Sequence, residues 1–257
     1  MKSVQLSAVI ITKNEERNIR RCIESVIDLV DEVLVVDSDS ADDTRTIAAS
    51  LGAKVIVQPF LGYVEQKNFA LAQASSDYVL SLDADEALSP ELQAAIAKAK
   101  TSWTRDAYSF NRLNNYCGRW IRHSGWYPDR KIRLLDRRKG QWGGINPHDT
   151  IILSDDARKG RLKGDLLHYS YISVQEHIER THKYAEIMAA ALFRTGKKAG
   201  FAKIYLNPAF TFVKKYFFQL GFLDGYYGWI ICRITAYYTF LKYIRLKEFQ
   251  LENKDKK

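Results

Sequence analysis

Two carboxylates one residue apart form the clearest chemical pattern in this sequence of 257 residues. Asp83 ends a predicted apolar strand, Tyr78–Asp83, and Asp85 follows it. Side chains alternate along an extended chain, so both carboxylates lie on one side if the chain stays extended. Nearby carboxylate oxygens suit Mg²⁺ or Mn²⁺, which keep other positions for water and substrate phosphates. The pattern predicts a divalent-metal site, and the alternative is a solvated acidic turn before the next helix.

Polar residues also follow two strands predicted nearer the N-terminus, Leu6–Ile11 and Glu32–Asp37. Asp37 is placed to accept hydrogen bonds from a base or ribose, and Thr12 and Glu15 offer similar contacts. These groups predict a nucleotide site at the ends of the two strands.

Helix capping is the alternative explanation for part of this group. Asn14 is placed to cap the first predicted helix, and Ser40 or Asp42 to cap the second. Capping does not explain so many acids at two adjacent strand ends.

The sequence lacks the glycine-rich loops that usually hold phosphates. No Gly-x-Gly-x-x-Gly follows the first strand, and no Gly-x-x-x-x-Gly-Lys-Ser/Thr occurs, which disfavours dinucleotide binding and P-loop chemistry. Lys67, near the start of the third predicted helix, is a candidate for holding a diphosphate there. The alternative for Lys67 is an ordinary solvated lysine.

The first hundred residues alternate between strands and helices. The predicted strands are Leu6–Ile11, Glu32–Asp37, Lys54–Gln58 and Tyr78–Asp83. The predicted helices are Glu15–Val30, Asp42–Leu51, Val64–Ala74 and residues 90–100. This alternation predicts a parallel sheet with helices on both faces. Ligands of such sheets bind beyond the carboxyl ends of the strands, where the polar groups lie.

The pattern changes after about residue 106. We expect a mixed extension of the sheet, because short strands there are joined by turns rich in glycine and charge. These strands are Ala107–Leu113, Lys131–Asp136, Thr150–Leu153 and Leu162–His168. A helix is predicted at Val174–Phe193.

The region Phe210–Leu246 is apolar and aromatic with scattered charges. No run reaches the ~18 apolar residues of a membrane-spanning helix. Gly225–Leu241, broken by Arg233, comes closest. Aromatic helices edged by Lys or Arg suit a membrane interface, so we predict peripheral attachment. The alternative is an amphipathic helical pair packed on the catalytic domain.

The formal net charge of +9 favours anionic partners such as phosphorylated substrates or acidic lipids. No nucleic-acid partner is expected, because such proteins present a basic aromatic platform and the strand ends here are acidic. The three cysteines show no metal or disulfide spacing, and the N-terminus shows no signal peptide. We expect a cytoplasmic protein attached peripherally to the inner face of the cytoplasmic membrane.

These motifs resemble the family 2 glycosyltransferases of GT-A fold. The matching segments are Ser7–Glu15, Val33–Asp43, Gly62–Ala74 and Tyr78–Glu86. A closer resemblance, to the bacterial subgroup of lipopolysaccharide core glucosyltransferases, extends over nearly the whole chain. Its segments are Gly125–Lys131, Arg133-Leu134, Trp142, His148-Asp149, Leu167–Tyr169 and Gly221–Gly225. The resemblance implies an α/β fold with a Rossmann-like, mostly parallel mixed sheet flanked by helices, and a C-terminal helical extension.

The resemblance also implies an activity and its residues. It implies inverting transfer from a nucleotide-diphosphate sugar, often a UDP-sugar, to a lipopolysaccharide or lipooligosaccharide core or a similar cell-envelope glycan. Asp149 is the candidate general base and His148 its rival, in place of the commoner Glu-Asp pair. The candidate donor-binding residues are Thr12, Asn14, Glu15, Asp37, Asp39, Lys67 and Asp83. The candidate metal ligands are Asp83, Asp85 and His168, and the candidate acceptor contacts are Trp126, Arg130 and Arg133.

The predicted organisation has a catalytic domain over residues 1–200, with a nucleotide-sugar half (1–105) and an acceptor half (106–200). Residues 201–257 form a helical segment. A sugar nucleotidyltransferase is the alternative enzyme, but its glycine-rich basic loop after the first strand is missing. A non-catalytic nucleotide-binding membrane scaffold is the other alternative, and the intact Asp83 and Asp85 argue against it.

Overall fold

Four parallel strands form one side of a nine-stranded sheet in the computed structural model, which describes residues 3–145 and 148–253 without the side chains of Ile145 and His148. The strands are β1 (Leu6–Thr12), β2 (Glu32–Asp37), β3 (Lys54–Val57) and β4 (Tyr78–Asp83). Their order across the sheet is β3-β2-β1-β4. All four were predicted, because buried Val- and Ile-rich runs are typical of parallel strands.

Helices cover both faces of these strands. They are α1 (Ile19–Glu24), α2 (Thr44–Ser50), α3 (Tyr63–Gln73) and α4 (Pro90–Thr101). α1 and α4 pack with Leu6, Ala8 and Ile10 of β1 in one apolar cluster, whereas α3 packs with Val9 in another. Successive side chains of a strand point to opposite faces, so the two clusters lie on opposite sides of the sheet. The predicted α/β class is confirmed.

Antiparallel strands extend the sheet beyond β4. They are β5 (Glu86–Leu88), β6 (Ala107–Tyr116), β7 (Arg119–Ile121), β8 (Asp129–Asp136) and β11 (Lys159–Tyr171). The order continues β4-β8-β6-β11-β5, and β7 pairs with β6. A separate hairpin joins β9 (Gly140–Ile145) to β10 (His148–Leu153). The predicted mixed extension is confirmed, although β5, β7 and β9 were not predicted.

The first helix is much shorter than the predicted Glu15–Val30. Regular helix ends after Glu24, where the Ser25 hydroxyl donates to the carbonyl of Cys22 at 2.7 Å. A side-chain bond of this kind competes with the backbone hydrogen bonds that would continue the helix. The chain then proceeds in turns, and Val26 still points into the core. The spacing of apolar residues therefore predicted which side chains are buried, but the predicted helix was too long.

The chain divides into two compact units that do not follow its linear order. The first comprises the described residues up to Leu113 together with Asp129–Tyr169, and the second comprises Asn114–Pro128 with the residues from Ser170 onward. The functional division predicted at residues 105 and 200 stays a prediction.

The second unit is mainly helical. It contains α5 (Val174–Arg194), α6 (Asn207–Val213) and α7 (Gly225–Glu252). Tyr116 is fully buried in its core, beside Ile231 of α7. No helix in the described part of the chain is both long enough and apolar enough to cross a membrane.

Candidate active site

The ends of three parallel strands meet at one edge of the sheet. Thr12, the last residue of β1, is paired in register with Asp37, the last residue of β2. On the other side of β1, Ile11 is paired with Asp83, the last residue of β4. The polar groups predicted from three separate segments therefore lie along one edge, in the position where α/β sheets bind ligands.

Two loops at this edge are tied together by hydrogen bonds. The Asn14 amide N–H donates to the Ser40 hydroxyl at 2.8 Å, and the Ala41 N–H donates to the Asn14 side-chain oxygen at 2.8 Å. The Glu15 N–H donates to Thr44 Oγ1 at 2.8 Å. Residues 12–16 and 38–44 therefore brace each other.

Asn14 and Ser40 do not cap the helices, whereas Asp42, the alternative for the second helix, accepts from the Thr44 amide at the start of α2 at 3.1 Å. Asn18 and Asp43 occupy the N-cap positions of α1 and α2, and neither makes a side-chain capping bond. Asn14 has a φ of 55°, in the left-handed region that asparagine tolerates better than most residues. Its side chain is used to join the loops.

Asp37 is fully buried, and its two oxygens accept from the amide and the hydroxyl of Ser40. Asp39 follows with a φ of 61° and is exposed at the edge of the sheet. The buried Thr12 hydroxyl has no hydrogen-bond partner within the described part of the chain. A buried hydroxyl without a partner is costly, so a ligand that bonds it would be stabilised.

Lys67 is the centre of a buried charge cluster. Its ammonium lies 2.7 Å from Asp149 Oδ2 and 3.0 Å from Asp83 Oδ1, and only 3% of the residue is exposed. It also lies 4.3 Å from the ring centroid of Trp142, a favourable cation–π position. The alternative of a solvated lysine is therefore wrong, since one cation holds two predicted site carboxylates together.

Arg133 supports Asp83 from a second direction. Its guanidinium contacts Asp83 Oδ2 and Glu86 Oε1, each at 2.9 Å, and lies 4.9 Å from the Trp142 ring centroid. Burial alone would raise the pKa of Asp83, but the charges of Lys67 and Arg133 lower it well below its ordinary value. Asp83 is thus held as a carboxylate.

Asp85 and His168 form a second pair beside this cluster. Antiparallel pairing of β11 with β5 sets His168 opposite Glu86, and His168 Nε2 lies 3.2 Å from Asp85 Oδ2. Two adjacent ligands of an octahedral ion, each about 2.1 Å from it, are separated by about 3 Å. Carboxylate and imidazole together suit first-row divalent metals. The spacing of the pair therefore fits two neighbouring positions of a divalent ion, and the imidazole favours a transition ion such as Mn²⁺ over Mg²⁺.

Asp83 is placed differently from the other two predicted metal ligands, because Lys67 and Arg133 occupy its oxygens. Among the residues with described side chains, no group of three or more His, Cys, Asp or Glu side chains is arranged to hold a metal. Any ion at Asp85 and His168 would take its remaining ligands from water or substrate, as Mg²⁺ commonly does.

The predicted acceptor contacts Trp126, Arg130 and Arg133 are divided between the two units. Trp126 packs edge-on against Tyr116 in the second unit, with ring centroids 5.8 Å apart. Arg130 is exposed on β8 of the first unit, whereas Arg133 is buried among the acids described above. This favours an electrostatic role for Arg133 over contact with an acceptor. The side chain of His148 lies outside the described part of the structure.

Sequence reasoning assigned no role to Glu86 or Trp142. Glu86 is fully buried, accepts from the Asp83 amide at 3.0 Å and pairs with Arg133. Its position directly after Asp83 and Asp85 could have indicated that Glu86 belongs to the same site. Trp142 lies on β9, fixed by two hydrogen bonds between its backbone and the Asn68 side chain. No local sequence pattern predicts this contact, because 74 residues separate Asn68 and Trp142.

Comparison with known proteins gives a consistent result. Residues 7–161 match the family described as Glycosyl transferase family 2. An uncharacterized glycosyltransferase of Rickettsia typhi is 36% identical over 98% of this chain and 89% of its own. The lipopolysaccharide core biosynthesis glycosyltransferase LpsC of Rhizobium meliloti is 30% identical over 92% of this chain and 89% of its own.

Among solved structures, a glucosyl-3-phosphoglycerate synthase from Mycobacterium tuberculosis aligns with 76% of this chain and 81% of its own. Its TM-score is 0.48 and its identity 21%. At that level of likeness nothing about its ligands transfers to this chain.

Proposed function

Because this chain belongs to glycosyltransferase family 2, we propose that it transfers a sugar from a nucleotide-diphosphate sugar, in particular a UDP-sugar, with inversion. The observation that carries the proposal is the Asp85–His168 pair, 3.2 Å apart beside the buried Lys67–Asp83 pair. It offers an ion site and a fixed set of charges at the sheet edge where a pyrophosphate would lie.

The donor's nucleoside is proposed to lie at the ends of β1 and β2. The Thr12 hydroxyl, which has no partner among the described residues, supports this, because a ribose or base would supply the missing hydrogen bond. Glu15 and the exposed Asp39 are the nearby carboxylates proposed to accept from the nucleoside. The buried Asp37 and the exposed Asn14 are proposed to act by shaping the loops that hold these groups.

A divalent ion, Mg²⁺ or Mn²⁺, is proposed to be held by Asp85 and His168. When bound, such an ion neutralises charge that develops on a departing diphosphate. Asp83 is proposed to contact the donor while Lys67 and Arg133 keep it ionised.

Asp149 is proposed as the general base that removes the proton of the attacking hydroxyl. Inversion needs a base on the side of the sugar opposite the leaving group, within about 3 Å of that hydroxyl. The ammonium of Lys67, 2.7 Å away, orients the carboxylate. Removing the proton as the bond forms stabilises the charge-separated transition state.

The proposed acceptor is a lipopolysaccharide-core or similar lipid-linked glycan of the cell envelope. The name of the LpsC relative, which aligns over nearly all of both chains, supports this class of acceptor. A lipid-linked acceptor implies that transfer takes place at the inner surface of the cytoplasmic membrane.

The proposal is tested by titration calorimetry of a nucleotide-sugar panel, with and without Mn²⁺, on the wild type and Asp85→Ala. We expect a UDP-sugar to bind the wild type in a Mn²⁺-dependent manner, and Asp85→Ala to lose that dependence. Asp156→Ala, at an exposed acid in a surface turn, is the matched control. A wild type that binds no nucleotide-sugar with either metal would remove the proposal.

A further inference from the structure

Residues 201–218 present one continuous apolar face to solvent. Exposed positions come in pairs every four residues, and nine of the ten are apolar or aromatic. The pairs are Phe201/Ala202, Tyr205/Leu206, Ala209/Phe210, Val213/Lys214 and Phe217/Phe218. The opposite side of this segment packs inward: Ile204 is buried near Leu246 of α7. We call the five pairs the aromatic face.

Two π-helical segments keep the aromatic face straight. They are Ala202–Leu206 and Lys214–Phe218, on either side of α6. In an ideal α-helix of 3.6 residues per turn, a four-residue repeat drifts by about 40° at each step. π-Helical turns contain more residues per turn and offset that drift. The two π-helical segments therefore hold the large exposed apolar side chains in one row.

The aromatic face is strongly exposed for a protein surface. Phe218 is 77% exposed, Phe201 71% and Phe210 64%. The adjoining turn adds Phe222, Leu223 and Tyr226, all exposed as well. Contiguous apolar patches of this kind mark interaction sites rather than ordinary surface.

The charged residues of the segment that carries the aromatic face have a single sign. Between Glu186 and Asp224 the sequence contains no acidic residue. The same stretch contains six basic residues: Arg194, Lys197, Lys198, Lys203, Lys214 and Lys215. An exposed apolar and aromatic face on a segment whose charged residues are all basic is complementary to a bilayer with anionic headgroups.

We propose that the aromatic face docks the protein onto an anionic lipid bilayer, with its aromatic rings at the headgroup level. A second copy of the chain fits the face less well. A two-fold contact would bring the basic residues of both copies together, and like charges repel. The proposal rests on the proposed function only in that a lipid-linked acceptor gives docking a purpose.

Co-sedimentation with vesicles tests the docking directly. The full chain is mixed with vesicles of phosphatidylcholine alone, or with about one third phosphatidylglycerol. The test variant is Phe210→Ser/Phe218→Ser. The matched control is Ile172→Ser/Leu251→Ser, which removes two exposed apolar side chains outside the face. We expect the wild type and the control to bind the anionic vesicles, and the test variant to lose at least about ten-fold in partitioning.

A charge variant, Lys197→Glu/Lys198→Glu, is expected to lose its preference for anionic over neutral vesicles. Equal binding of the wild type to both vesicles, or equal binding by test variant and control, overturns the proposal. A wild-type dimer that only Phe210→Ser/Phe218→Ser dissociates, with no vesicle binding, would assign the face to a second copy. Binding of a nucleotide-sugar is measured on the same variants and is expected to stay unchanged, so failure of either proposal is recognised separately.

Discussion

Lys67 Nζ lies 2.7 Å from Asp149 Oδ2, although 82 residues separate them in the sequence. The lysine comes from a helix on one face of the sheet and the aspartate from a hairpin strand. The same ammonium lies 3.0 Å from Asp83 Oδ1. One cation thereby couples the proposed base to the proposed donor-binding carboxylate, so a change at any of the three is expected to be felt by the others.

Asp149→Asn is expected to lower the rate of sugar transfer by about 10²- to 10⁴-fold, because an amide cannot take the proton of the acceptor hydroxyl. The amide oxygen can still accept from Lys67, so donor affinity should stay within about three-fold. Transfer is measured by release of the nucleoside diphosphate, and affinity by calorimetry. Asp155→Asn, at an exposed acid, is the control. Unchanged turnover in Asp149→Asn would move the base elsewhere.

Lys67→Met is expected to lower the free energy of unfolding at pH 7 by about 2–4 kcal/mol, because two neighbouring carboxylates lose their shared cation. The pKa of Asp83 is lowered in the folded protein, so its stabilising contribution is present above its ordinary value of 3.8 and lost as pH falls towards the folded value. Lys67→Met removes part of that contribution. Urea unfolding should therefore show a difference from wild type that is large at pH 7 and smaller near pH 3.5.

Lys139→Met is the control for this variant, because it breaks an exposed ion pair with Asp156. It should leave the free energy of unfolding nearly unchanged, because an exposed ion pair is screened by solvent. Equal losses in the two lysine variants would contradict the role given to the buried cation.

The first half of the fold was predictable because its signal is local. β1, β2 and β4 are short apolar runs that end in polar residues, and each was predicted to within one residue at either end. The alternation of strands and helices predicts parallel strands, whose carboxyl ends lie at one edge of the sheet, but it does not give their order, β3-β2-β1-β4. These rules made it possible to predict that Thr12, Asp37 and Asp83 share an edge.

The partners of the charged residues could not be predicted, because they depend on packing between distant segments. Arg133 was expected to contact an acceptor, yet it pairs with Glu86, 47 residues away. The sequence gives the charge of a side chain and the strand that carries it. The alternation of side chains along a strand does not identify the acid with which that side chain forms an ion pair. The Asp85–His168 pair could be predicted only in part. His168 was a candidate metal ligand, but the pairing of β11 with β5 that sets it beside Asp85 was not predicted.

Arg133→Met is expected to cost about 3–5 kcal/mol of unfolding free energy, because the fully buried Glu86 loses its nearest cation. Adding Glu86→Gln to that variant should restore part of the loss, since the buried charge, which Arg112 at 3.7 Å would still face, is then removed. Arg130→Met on the same strand is exposed and should change stability by no more than about 0.5 kcal/mol. Urea unfolding of the three variants decides whether Arg133 has a buried electrostatic role or a surface role. An unchanged free energy of unfolding in Arg133→Met would contradict the electrostatic role.

A buried histidine in the second unit gives a pH dependence of stability. Burial, with a smaller contribution from the charge of Arg180, lowers the pKa of His177 to about 4, and its ring nitrogen is 3.0 Å from the Tyr116 hydroxyl. Between pH 6.5 and about 4 the unfolded chain binds a proton that the folded protein excludes. The folded state should therefore lose up to about 3 kcal/mol as pH falls through that window.

His177→Gln is expected to flatten this pH dependence, because glutamine does not titrate. The absolute stability of the variant is expected to fall where the contact with Tyr116 is disturbed, so the diagnostic quantity is the slope of unfolding free energy between pH 4.5 and 6.5, a range within that window. His182→Gln, at an exposed histidine on the same helix, should keep the wild-type slope. If His177→Gln loses stability with falling pH as steeply as His182→Gln, the proton excluded by the folded state belongs to another group.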